Sequence, residues 1–282
     1  MNFKQKLEKI VKKNNSLLCI GLDPDLEKIP QHLRKHEDPL FTFNRLLIDA
    51  THDLACAYKP QIAHYSALGI QGLGSLLKTV DYLTHKYPEI PIILDAKRAD
   101  IGLTSKLYAK EAFDVFGTDA VTVNPYFGLD SLLPFLQRKD KGVIILCRTS
   151  NKGALDFQDL EVYSSSDQAK PEIPLYLYIA RKVQIWNKTY GNCLLVVGAT
   201  WPEQLKKVRE IVPDMFLLVP GVGAQGGNLE KTLKNGLRKD KSGLIIHASR
   251  AIMYASKGED FADKARVEAE KIRNIINKYR YE

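Results

Sequence analysis

The sequence predicts an α/β fold, a (β/α)8 TIM-type barrel formed as a single domain over residues 1–282. Three observations predict it. Short apolar, β-branched runs recur eight times, each followed by a longer stretch of helical periodicity. Eight such units in roughly 250 residues is the arithmetic of that barrel. The runs are continuous rather than alternating, as strands buried on both faces must be. A doubly wound open sheet is the competing arrangement. It fits less well, because no early G-x-G-x-x-G follows the first run.

The elements follow in order. Lys4–Lys13 carries its positive charge on one face of an amphipathic helix, placing an N-terminal helix over about 3–15. The strand candidates are Leu17–Leu22, Ala55–Lys59, Ile90–Lys97, Ala120–Asn124, Gly142–Cys147, Cys193–Ala199, Phe216–Val219 and Gly243–Ala248. Helical candidates between them include Leu40–Leu54, Gly72–Tyr87, Thr104–Phe116, Leu175–Lys188, Pro202–Ile211 and Leu229–Gly236. Phe261–Tyr279 reads as a C-terminal closing helix, over about 259–280.

Composition narrows the class. An apolar fraction of 45% suits a chain with a sizeable buried core. No apolar run approaches a membrane span. Met1–Ser16 is basic, but Leu17–Leu22 is too short for a signal-peptide core, so the expected location is cytoplasmic. Cys19, Cys56, Cys147 and Cys193 show no C-x-x-C spacing, and all lie in or beside apolar runs. Buried free thiols in a reducing compartment are expected, not a zinc site. The net charge of +8 is spread along the chain, and a small anionic substrate accounts for it as well as nucleic acid does.

Polar residues at the C-terminal ends of barrel strands read as active-site residues. Nearly every strand here ends in one: Asp23, Lys59, Asp95 with Lys97, Asn124, Thr149-Ser150, Thr200 and Ser249-Arg250. A full ring of such ends is hard to ascribe to solvation. After the seventh strand comes Pro220-Gly221-Val222-Gly223-Ala224-Gln225-Gly226-Gly227. Barrels often bind phosphate with the loops after strands seven and eight. Backbone N–H groups of a glycine loop approach the anion, and Arg250 supplies a charged fork. The plainer alternative is a simple turn, with Arg250 paired to a helix carboxylate.

Between lie four charges in six positions, "DAKRAD", Asp95 to Asp100. Strand alternation puts Asp95 and Lys97 on one face and turns Arg98 away. With Lys59 on the neighbouring strand, this suggests a string of alternating charge: Lys59, Asp95, Lys97, Asp100. Each carboxylate favours the protonated lysine beside it. A rim of surface ion pairs, worth little to stability, is the plainer reading. A fixed ammonium among carboxylates beside a phosphate site suits a reaction that develops negative charge on carbon and then needs a proton. Decarboxylation is such a reaction.

At this point the chain resembles the orotidine 5′-phosphate decarboxylases, in the bacterial subgroup with somewhat longer chains. The likeness runs from about Leu18 to Ile252. Its centre is D-x-K-x-x-D-I-x-x-T, Asp95 to Thr104, joined by "CIGLDPD", "AYKPQIAHY", "VTVNPYFGLDSL", "TSNKGALDF", "VPGVGAQGG" and "ASRAI". The resemblance implies a homodimer with active sites at the subunit interface, no metal and no cofactor. It implies Lys97 as proton donor to C6 of the pyrimidine and Asp95 against the substrate carboxylate. Lys59 then links the network to the ribose, and Asp23 contacts a ribose hydroxyl. Asp100 and Thr104, with Ile101 beside them, match residues that reach the partner's site. Ser150 matches the serine at the pyrimidine amide edge, Lys152-Gly153 following in register. Gln225 and Arg250 match the phosphate grip, with Gly223 and Ser249 in its loops; Gln225 also matches a pyrimidine contact. Ser249 stands where many phosphate barrels place glycine, and its N–H still donates. Asn151–Pro174 reads as a lid after strand five. For its later half a passive insertion fits nearly as well. No role is assigned to His64, Tyr65, Ser66, Asn124 or Thr200. With no phosphoribosyl diphosphate motif, a fused transferase is not expected.

Two rivals remain. Metal-dependent decarboxylases or epimerases of sugar phosphates share D-x-K-x-x-D but place an acidic metal ligand near the end of strand two. Lys59 stands there and argues against Mg²⁺. A non-catalytic nucleotide or nucleic-acid binder would have no reason to hold two lysines among carboxylates. No nucleic-acid or membrane partner is expected.

Overall fold

A strand in a closed barrel must pair on both sides, and the pairing here meets that requirement. The computed structural model describes residues 1–163, 172–222 and 227–282. In chain order the strands are β1 (Leu18–Leu22), β2 (Ala57–Pro60), β3 (Ile93–Arg98), β4 (Ala120–Val123), β5 (Gly142–Arg148), β6 (Glu161–Tyr163), β7 (Glu172–Pro174), β8 (Cys193–Val197), β9 (Leu217–Val219) and β10 (Leu244–Ala248). Eight of them form one sheet in the order β2-β1-β10-β9-β8-β5-β4-β3, every pairing parallel. Parallel bridges Tyr58–Ile92 and Gln61–Asp95 bring β2 to β3, so the sheet closes on itself. β6 and β7 pair separately as an antiparallel ribbon.

Helices cover the outside: α1 (Phe3–Lys13), α2 (Pro39–Thr51), α3 (Ala63–Ser66), α4 (Gly69–Lys86), α5 (Gly102–Lys110), α6 (Leu129–Leu136), α7 (Leu175–Tyr190), α8 (Pro202–Ile211), α9 (Leu229–Gly236), α10 (Arg250–Met253) and α11 (Phe261–Tyr281). Local chemistry sets their ends. Asp38 caps α2, accepting from Phe41 N, with Pro39 at the first helical position. Asn228 caps α9 in the same way. Gly191, at φ +75°, ends α7 in the left-handed conformation that glycine adopts without strain. The stretch read as Thr104–Phe116 is helical, but its last turn, Glu111–Val115, widens to a π-turn. The helix α6 lacked a clear signal because Pro134 sits inside it.

The eight barrel strands are buried almost throughout, with Cys19, Cys56, Cys147 and Cys193 as buried free thiols in or beside them. At the N-terminal end α1 seals the barrel. The Phe3 ring lies against Gly142, where a Cβ would overlap it, and Lys6 pairs with Asp119 at 2.8 Å. At the C-terminal end the loops leave an open cleft of about 680 Å³. Among the described residues no helix is long and apolar enough to cross a membrane.

Candidate active site

The charged stretch at the end of β3 is shaped by a break in that strand. The β3–β4 register shifts between Leu94 and Arg98, and Lys97 takes a left-handed φ of +49°. A lysine there costs on the order of 1 kcal/mol and needs support from its surroundings. Thr122 on β4 supplies it. Its hydroxyl accepts from the backbone N–H of Ala96 at 3.0 Å and of Lys97 at 2.9 Å, and donates to Asp95 Oδ1 at 2.9 Å.

Asp95 thereby sits between two ammonium groups. Lys97 Nζ donates to Oδ1 at 2.6 Å and Lys59 Nζ to Oδ2 at 2.8 Å. Burial alone would raise the carboxyl's pKa, but the charges of Lys59 and Lys97 outweigh it and hold the group well below the usual carboxylate range. Lys59 is 3% exposed. Burial disfavours its charge, yet Asp95 and then Asp23 more than compensate, so its pKa rises. Lys97 is exposed to the cleft, with Asp95 as its ion-pair partner. Arg98 turns away, as alternation requires, forked onto Glu111 at 3.1 and 3.2 Å and stacked on Tyr108.

Across the mouth, Asp23 after β1 is held from two directions. Gln61 N donates to Oδ1 at 3.1 Å, and Ser249 Oγ donates to Oδ2 at 2.9 Å. Gly21 makes this approach sterically possible. A Cβ there would stand 2.5 Å from Ser249 Cβ and 2.7 Å from His247 Nε2. His247 lies on the cleft floor, with its Nε2 enclosed and without a hydrogen-bond partner among the described residues. Burial, then the field of Lys59, pushes its imidazole down to about 3, so it is neutral at neutral pH. Arg250, the first residue of α10, lines the same side.

The third wall follows β5. Thr149, Ser150 and Asn151 line the cleft. The Ser150 backbone packs on Gly198, where a Cβ would stand 2.6 Å from Ser150 Cα, and the Ser150 carbonyl accepts from Thr200 Oγ1 at 3.1 Å.

The cleft therefore gathers Asp23, Lys59, Asp95, Lys97, Ser150, Ser249 and Arg250. Gly223 and Gln225 lie outside the described residues, as do residues 164–171 of the predicted lid. Asp100, Ile101 and Thr104 do not line their own chain's cleft. Asp100 accepts from Ile101 N at 2.7 Å, and Ile101 and Thr104 are exposed. The sequence alone does not single out Thr122, Gln61, His247 or Thr200 as supports. A threonine inside "VTV" reads as β-branched strand filler. A signal existed only for Thr200, which stands at a strand end.

The chain resembles known proteins over its whole length. The model of the "Orotidine 5'-phosphate decarboxylase / HUMPS family" matches residues 16–265. An orotidine 5′-phosphate decarboxylase of Cellvibrio japonicus is 53% identical over 252 residues, 89% of each chain. One from a Janthinobacterium species is 50% identical over 280 residues, 99% of each. The structure of Leishmania donovani OMP decarboxylase superposes with a TM-score of 0.83 at 36% identity and covers both chains fully. That of Leishmania donovani UMP synthase gives 0.85 at 39% identity, covering 99% of this chain and 57% of the larger one. The chain belongs to the orotidine 5′-phosphate decarboxylase family.

Proposed function

We propose that the barrel mouth decarboxylates orotidine 5′-phosphate directly, with Lys97 as the proton donor to C6 and no cofactor. Family membership makes the chain an enzyme that converts orotidine 5′-phosphate to uridine 5′-phosphate in pyrimidine synthesis. The finer reading rests on one observation: Asp95 is bracketed by Lys97 at 2.6 Å and Lys59 at 2.8 Å. When the bond from C6 to the carboxylate breaks, carbon dioxide leaves and the electron pair stays on C6. The Lys97 ammonium, already fixed by Asp95 and by the Thr122-supported bend, stabilises that charge as it forms. It then transfers a proton to C6, giving the product. Asp95 faces the departing carboxylate and keeps the Lys97 ammonium aimed.

Asp23 and Lys59 take the ribose, Ser150 the pyrimidine amide edge, and Arg250 the phosphate, together with Gln225, Gly223 and the Ser249 N–H. Phosphate binding remote from the reacting carbon helps hold the site closed. In the loop after β5, Leu155 and Phe157 expose apolar side chains, which supports its reading as a cover over the cleft. The metal-dependent alternative fits the donor set poorly, because both oxygens of Asp95 already accept from ammonium groups.

The active form we propose is a homodimer. Asp100, Ile101 and Thr104 lie away from their own cleft, and Ile101, Leu103, Leu107, Tyr126 and Phe127 expose apolar surface after β3 and β4. That surface fits a second copy, with Asp100 and Thr104 completing the partner's site. The four buried free thiols fit a reducing, cytosolic setting.

The test is the ultraviolet absorbance change of orotidine 5′-phosphate on mixing with the purified protein, with and without chelator. Chelator-insensitive conversion by the native chain, lost in Lys97→Ala at unchanged fold, is the expected result. Native turnover in Lys97→Ala removes the role given to that lysine.

A further inference from the structure

A buried charge that the chemistry does not use stands directly behind the β5 wall. Arg148, the last residue of β5, is 0% exposed. Its Nη2 donates to Asp159 Oδ2 at 3.0 Å, and its Nη1 to Thr149 O at 3.3 Å and Gln158 Oε1 at 3.5 Å. Its Nε has no partner among the described residues. Its guanidinium carbon lies 4.2 Å from the centre of the Trp201 ring. As a stability device this is a poor choice, because buried ion pairs can often be replaced by apolar packing without loss. What the arrangement does offer is a fixed position, since among the described residues every hydrogen-bond partner of the Arg148 side chain lies between residues 149 and 159.

The surrounding contacts converge on Ser150. Trp201 Nε1 donates to Thr149 O at 3.0 Å. Gln158 returns to Thr149 twice, accepting from its backbone N–H at 2.8 Å and donating from Nε2 to Oγ1 at 2.9 Å. Thr200 grips the Ser150 carbonyl, and Gly198 donates to the Arg148 carbonyl at 2.7 Å. The far end of the loop is tied to α7 by Tyr176 N to Gln158 O at 3.0 Å. The backbone from Arg148 to Ser150 is thus held, while Ser150 itself lines the cleft.

We propose that Arg148 is a positioning residue for the decarboxylation: with Trp201 and Gln158 it sets Ser150 against the substrate. This rests on the reading of Ser150 as the pyrimidine contact. Ser150 meets the ring away from the reacting carbon, so displacing it removes binding shared by substrate and transition state. Such a loss appears in KM more than in kcat.

The experiment is a double-mutant cycle on the full chain, with orotidine 5′-phosphate as substrate. Ser150→Ala and Arg148→Met are each expected to raise KM on the order of 10–100-fold, since small misplacements have effects of that size. The double variant is expected to be no worse than the worse single, and Arg148→Lys to recover part of the loss. If Arg148→Met does not fold, Trp201→Phe and Gln158→Leu each remove a contact to Thr149 and enter the same cycle. A native KM in the folded Arg148-side variants, with Ser150→Ala impaired, overturns the positioning role and leaves Ser150 its contact. Losses that multiply in the double variant also overturn it. A native KM in Ser150→Ala removes the Ser150 contact itself, and the positioning role with it.

Discussion

Arg209 near the N-terminal end of the barrel and the lysine pair at its mouth hold positive charge in opposite ways. At the N-terminal end, Arg209 spends its guanidinium on backbone carbonyls: Met215 at 2.6 Å, Gly236 at 2.7 Å, Val212 and Gly243 at 2.9 Å, and Pro213 at 3.4 Å. Burial, then the neighbouring Arg238, brings its pKa down to about 10, so it stays charged at neutral pH. That cation joins the chain ends before β9 and β10 and has little left to offer a ligand. At the C-terminal end, Lys59 and Lys97 share one carboxylate between them, and Lys97 opens to the cleft. The difference separates stability from chemistry. A cation saturated by its own backbone fixes loops, whereas one held by a single anion keeps donors free for an incoming negative group.

Substitutions at the two ends break this contrast or sharpen it. Lys97→Ala has the largest expected effect, a fall in turnover on the order of 10³-fold or more at a nearly unchanged thermal midpoint, read by substrate absorbance and thermal melting. Arg209→Met is its mirror image. It strands several buried carbonyls and is expected to lose about 3 kcal/mol of stability in urea titration, with kcat of the folded enzyme unchanged. Lost turnover without lost stability in Arg209→Met would abolish the contrast. Arg250→Ala comes next. A charged hydrogen bond to a phosphate remote from C6 is worth about 1.5–3 kcal/mol, so KM should rise on the order of 10–100-fold with kcat less affected. A loss confined to kcat counts against that division.

The effect that is smallest at neutral pH, and grows only on acidification, concerns His247. Its imidazole titrates at about 3 in the folded chain, against an ordinary value of 6.5. Between those values the unfolded chain takes up a proton that the folded chain refuses. Stability from this group is therefore present above pH 6.5 and is lost as pH falls toward 3. His247→Gln should flatten the stability profile over that window by about one proton, measured as urea midpoints from pH 7 to 4. Equal slopes in the two proteins show that the imidazole is not held neutral. The electropositive floor set by Lys59 then has less reach than the site geometry indicates.

The legibility of the site follows the range of the interactions. Asp95 and Lys97 are two residues apart, so alternation predicts their pairing, which the structure reaches through the bend at Lys97. Lys59 joins them because parallel strands β2 and β3 bring their C-terminal ends together. Thr122 was hidden, because its role depends on a register shift between β3 and β4 that no residue pattern announces. Arg148 was hidden for the opposite reason. At a strand end it resembles any charged residue of the ring, yet its side chain turns behind the wall and away from the cleft.

The sequence by itself determined the periods and the strand-end chemistry: eight apolar runs, nearly all closing on a polar residue, and a charged string at the end of the third. Those follow from side-chain burial and chain geometry within a few residues. Only the tertiary structure decided which of those polar ends face one another. It set the left-handed turn at Lys97, the support from Thr122 and the void at Gly21 that admits Ser249 and His247. These depend on contacts between segments up to more than two hundred residues apart, such as Ser249 on Asp23. Closure of the barrel is what brings such segments within hydrogen-bond reach.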